Sequence, residues 1–105
     1  MLARVGVLVK DLSVPMTKAN RRINKVWKRV VGEHAILSST YGSVHGDGSL
    51  HGRGDAEDFA IVLANDEPIR HSTVVLLVEA LRQELGPDFD VVLEKDHIHI
   101  EYDPK

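Results

Sequence analysis

The sequence predicts an α+β fold in which helices pack on a largely antiparallel sheet. Three observations lead there. Apolar residues recur at helical spacing over 17–31 and again over 72–85. Short β-branched or alternating runs lie before, between and after those stretches. The 105 residues suit one domain, spanning 1–105, built around one modest core.

Taken in order, Arg4-Val5-Gly6-Val7-Leu8-Val9 reads as an opening strand. After a break at Val14-Pro15, Thr17 is placed to cap a helix that runs to about Val31. Ala19, Ile23, Val26, Trp27 and Val30 share one face of it, and Gly32 ends it. The other face carries Lys18, Arg21, Arg22, Lys25, Lys28 and Arg29 and reads most simply as solvated, with a binding patch for an anionic polymer as the less favoured alternative. Residues 35–40 predict a second strand. Residues 41–55 then bring five glycines, two histidines and few apolar side chains, the composition of a long functional loop. A third strand is expected over 58–64, closed by Asn65-Asp66-Glu67-Pro68. In a second helix over 72–85, Val75, Val78, Leu81 and Leu85, widened by Val74 and Leu77, form the core stripe before Gly86-Pro87 stops it. Residues 89–93 and 97–102, separated by Glu94-Lys95-Asp96, predict a terminal hairpin.

Composition narrows the function. Thirteen Lys and Arg against sixteen Asp and Glu give a net charge of −3, which argues against a nucleic-acid binder. No apolar run approaches a membrane span, and no signal peptide is legible at the N-terminus, so neither a membrane partner nor export by its own signal is expected. The chain has no cysteine, so a metal must be held by imidazole and carboxylate.

Four of the six histidines fall in two places. His97 and His99 are two apart in the last strand, so both imidazoles point to one face while Ile98 and Ile100 point to the other. An isolated pair of this kind is more often a surface feature than a site. The second place is Ser49-Leu50-His51-Gly52-Arg53-Gly54-Asp55-Ala56-Glu57-Asp58, where two glycines between His51 and Asp58 allow the chain to fold back. A polar surface turn is the bland alternative. Two imidazoles and one carboxylate would give zinc three ligands and leave a fourth position open, the arrangement of a catalytic site. His45 and His71 read as surface residues.

The decapeptide 49–58 matches Ser-x-His-x-x-Gly-x-Ala-x-Asp at all five specified positions. In this it resembles the D-alanyl-D-alanine carboxypeptidase family of zinc peptidases, whose relatives include VanY-type enzymes, phage endolysin L-alanyl-D-glutamate peptidases and the hedgehog signalling domain. Asp96-His97-Ile98-His99-Ile100-Glu101-Tyr102 is similar to the family's C-terminal His-x-His element. The resemblance covers most of the chain, is strongest from Tyr41 onward, and is closest to compact phage-type members. It implies a hedgehog/DD-peptidase-like fold and zinc (Zn2+) bound by His51, Asp58 and His99. It also implies hydrolysis of peptide bonds in bacterial peptidoglycan stem peptides.

For the base, family members use an acidic residue three before the last ligand, or histidines two or five before it. Those positions hold Asp96, His97 and Glu94, ranked in that order, with His97 alternatively stabilising the oxyanion. Regular alternation would turn Asp96 away from His99 unless the chain is still turning there. Arg53 and Ser49 are the expected substrate-binding residues, Ser49 being equally suited to a turn. Arg53-Gly54-Asp55 spells an integrin-binding tripeptide and is read as incidental. The expected protein is a monomer of phage or prophage origin. It would be held in the host cytoplasm until release to the wall, or associated with the virion. The competing readings are an inactive, zinc-stabilised binding module of the same fold and a metal-free structural domain.

Overall fold

In a computed structural model of the chain, residues 2–3, 13–41 and 55–104 are described. The elements are β1 (Leu2–Ala3), α1 (Val14–Val30), β2 (Ile36–Tyr41), β3 (Ala56–Ala60), α2 (His71–Leu85), β4 (Phe89–Leu93) and β5 (His97–Tyr102). They form two helices and one five-stranded sheet of order β1-β2-β3-β5-β4. Only β1 and β2 pair in parallel; the β2-β3, β3-β5 and β5-β4 pairs are antiparallel. The expected α+β class and largely antiparallel sheet are therefore present. The strand expected over 4–9 and most of the loop over 41–55 lie outside the described residues.

Helix α1 starts three residues before the Thr17 cap that the sequence suggests. Ser13 is the cap: its side chain accepts the Met16 N–H at 3.3 Å, while Thr17, already inside the first turn, donates to the Ser13 carbonyl at 2.9 Å. Pro15 opens the helix, because a proline in the first turn removes an N–H that has no helical partner there. At the other end Gly32 takes φ 90°, a left-handed conformation costly for a residue with a Cβ, and its N–H returns to the last helical carbonyls.

The apolar stripe of α1 buries Met16, Ala19, Ile23, Val26 and Trp27. In α2 the buried residues are Val74, Leu77, Val78, Leu81 and Leu85. Val75 is exposed instead, since the stripe is centred on Val74, Leu77 and Leu81, one residue-step of helical rotation away. Both helices lie against the sheet face bearing Leu37, Phe59, Val91, Ile98 and Ile100. Trp27 and Phe59 meet at the centre with ring centroids 5.7 Å apart. Burying a side chain of this size contributes about 1.5–3 kcal/mol.

Strand β3 begins at Ala56 and stops at Ala60, earlier than the apolar pattern suggests. Its start is fixed by pairing with Tyr41 on one side and Glu101 on the other. Beyond Ala60 the apolar residues continue as a small turn. The Ile69 N–H returns to the Ile61 carbonyl and the Leu63 N–H to the Glu67 carbonyl, with Asp66 at φ 69°. At the sheet's far edge, the Arg82 guanidinium of α2 donates from Nε and Nη2 to the Val91 carbonyl of β4 at 3.2 and 2.9 Å. That contact occupies backbone on an edge strand. No helix among the described residues is long and apolar enough to cross a membrane.

Candidate metal and acid-base site

The antiparallel register of β3 and β5 sets Asp58 directly opposite His99 and Ala60 opposite His97. Alternation then divides the two strands by chemistry. Phe59, Ile98 and Ile100 enter the core under the helices, and Asp58, His97, His99 and Glu101 share the opposite face. Next to Asp58 the β2-β3 ladder slips between Leu37 and Ser39, and the Ser38 hydroxyl donates to the Asp58 carbonyl at 3.0 Å. An irregularity of this kind locally re-aims the strand beside it.

Asp58 and His99, 41 residues apart in sequence, meet at 2.8 Å between Oδ1 and Nδ1. The other ring nitrogen of His99, Nε2, lies 2.9 Å from Glu101 Oε1. Between these two carboxylates the His99 pKa is pushed up to about 9, first by the Asp58 hydrogen bond and then by Glu101, against the opposing effect of burial. His97 Nε2 stands 3.6 Å from the same Asp58 oxygen, and its Nδ1 is 2.8 Å from Asp96 Oδ1. Asp96 lies in the turn ahead of β5 and is largely solvent-exposed. The chain is still turning at that point, so its carboxylate reaches back to the imidazole of the next residue. That hydrogen bond holds the Asp96 carboxyl below its ordinary range. Glu94 is exposed, at the start of the same turn.

The structure therefore brings together Asp58, His97, His99 and Asp96. Ser49, His51 and Arg53, together with His45, lie outside the described residues. Two groups that the sequence reading passed over adjoin the site. Glu101 is legible in hindsight as the next step of the His97-x-His99-x-Glu101 alternation. Glu57 occupies an unspecified position of the decapeptide, points to the core side and is completely buried. Burial pushes its carboxyl up to about 8, and only a hydrogen bond with Asn20 opposes this. Both carboxyl oxygens of Glu57 and the Asn20 Oδ1 are buried without a well-formed hydrogen bond, an environment that disfavours the charged carboxylate.

One imidazole and one carboxylate, His99 and Asp58, are donor types that zinc accepts. Tetrahedral ligands at about 2.0–2.1 Å from zinc lie about 3.3 Å apart, so Asp58 Oδ1 and His99 Nδ1 need to separate by only about half an ångström. Glu101 would remain on Nε2, orienting the ring from behind. This pair supplies two ligand atoms and requires a third from elsewhere in the chain. Among the described residues, three side chains do converge within 4.8 Å of one another: Asp90, Glu101 and Asp103, all half-buried. Oxygen-only trios of this type favour hard cations and are common on proteins without any ion. No family model, curated protein or solved structure matches this chain.

Proposed function

We propose that the chain is a zinc-dependent peptidase of the hedgehog/DD-peptidase-like type, acting on bacterial peptidoglycan stem peptides. The observation that carries this reading is the meeting of Asp58 and His99 across β3 and β5. These are the two described members of the ligand set implied by the motif resemblance, and His51 would be the third. The phage or prophage origin and the release to the wall are part of the same proposal.

Zinc, when bound, supplies a Lewis acid that polarises a carbonyl and acidifies water. The proton transfers fall to the Asp96–His97 pair. Asp96 holds His97 Nδ1, which leaves Nε2 facing the ligand cluster. In that position His97 can take a proton from an attacking water and return it to the leaving amine, while Asp96 stabilises the imidazolium between the two events. This arrangement favours His97 as the group that moves the proton and Asp96 as its partner. Arg53 and Ser49 are proposed to bind the substrate carboxylate.

One observation favours the metal-free reading: His99 held as an imidazolium between Asp58 and Glu101 is a self-satisfied ion triad. Metal uptake separates the two. The zinc peptidase is expected to bind one zinc per chain and to release products from defined stem peptides, detected by mass analysis and abolished by chelator. Asp96→Ala and His97→Ala should lose turnover with zinc retained, and His99→Ala should lose zinc. Stoichiometric zinc without turnover on any stem peptide would leave the binding module, and no zinc uptake would leave the structural domain.

A further inference from the structure

Helix α1 carries six cationic side chains and no acidic one, within a chain whose net charge is −3. Lys18, Arg21, Arg22, Lys25, Lys28 and Arg29 are all exposed, and at 100° per residue they fall within a stripe about 120° wide and about 16 Å long. Arg22 is neutralised by Glu84 of α2 through its Nε at 3.0 Å. Among the described residues, none of the other five makes an ion pair.

Cations three and four residues apart on one helix face repel one another, so this arrangement weakens α1 rather than supporting it. An ordinary solvated face would intersperse acidic residues, and this helix has none. A surface hollow of about 370 Å³ lies at the N-terminal end of the stripe, lined by Thr17, Lys18 and Arg21. It offers one anionic group two cations, Lys18 and Arg21, near the end where the helix dipole is positive.

We infer that this stripe is a docking surface for a linear phosphodiester polymer, and specifically for the teichoic-acid-type polymer of the bacterial wall. The choice of polymer rests on the peptidase reading above. Charge complementarity supplies the attraction. The aromatic residue of α1, Trp27, is buried, so the stripe offers no platform for stacking bases, which makes it a poor single-strand nucleic-acid surface. The stripe also stands on the far side of the sheet from the candidate site. Trp27 packs on Phe59, whereas Asp58 and the histidines point the other way. A polymer held on α1 would therefore leave the site open to a peptide.

The test is co-sedimentation of the full chain with wall sacculi, either intact or stripped of their phosphodiester polymer by hydrofluoric acid. Retention is expected to fall about tenfold or more on stripping, and comparably when salt is raised from about 50 to about 200 mM, because phosphate contacts release counterions. A Lys18→Glu, Arg21→Glu, Lys25→Glu, Lys28→Glu variant should lose retention on intact walls. The milder Lys18→Gln, Lys25→Gln, Lys28→Gln variant should lose part of it. Both should cleave soluble stem peptides as the parent does. Equal retention on intact and stripped walls, or tighter binding to duplex DNA than to the purified polymer at equal phosphate concentration, would overturn the inference. Absence of cleavage by the parent would instead strike the peptidase reading and leave the retention result standing.

Discussion

Glu57 and Glu101 differ in what their surroundings demand of a carboxyl. Glu57 is sealed under α1, and the folded state keeps its proton up to about pH 8, against a reference value of 4.5. Its folded pKa is raised, so its contribution to stability is fully present below about pH 4.5 and is lost as pH rises through about 8. His99, raised to about 9, acts in the same direction at higher pH. Glu57→Gln removes only the first effect. Urea denaturation in chelator should find the variant close to the parent near pH 5 and more stable by a few kcal/mol near pH 8. Parallel pH profiles for the two proteins would remove this account of Glu57. Glu101, by contrast, remains partly exposed and holds His99 Nε2. Glu101→Gln keeps an acceptor there but loses the charge, and should weaken zinc binding by about 10–100-fold in calorimetric titration without changing helix content. An unchanged affinity would mean that the ring needs no support from that side.

At the scale of elements, the departures from the sequence reading have identifiable causes. Residue order sets the start of α1 too late because Val14-Pro15 looks like a break, although proline belongs in a first turn and Ser13 caps it. The two candidate caps make opposite predictions. Ser13→Ala should lower stability by about 0.5–1 kcal/mol, seen as a fall of a few degrees in Tm, whereas Thr17→Ala should cost less. The reverse order would restore Thr17 as the cap. Strand β3 lies earlier than its apolar run because that run ends several residues after the ladder does, and pairing with β2 and β5, invisible in local pattern, decides where a strand starts. The terminal hairpin and the buried face of α1 were legible because alternation and helical period are local properties.

Across the whole molecule, the two helices, four of the five strands and the division of β5 into a buried and a chemical face could be read from residue order. The convergence of Asp58 with His99 was suggested by motif resemblance and depends physically on β3 and β5 being neighbours, a fact of topology. What sequence spacing hid was the environment of single groups: that Asp96 turns back to His97, that Glu101 backs His99, and that Glu57 is buried while its neighbour Asp58 faces the histidines. Each depends on side-chain direction at the end or the middle of a strand.

The six residues of β5 serve two masters at once, isoleucines gripping oil on one side and imidazoles reaching outward on the other. Losing or gaining one residue within the strand would turn every side chain beyond that point to the wrong side. Greasy packing thus acts as the jig that keeps the histidines in line. Length variation in any lineage carrying this chemistry should accumulate in flanking loops and stop abruptly at that strand.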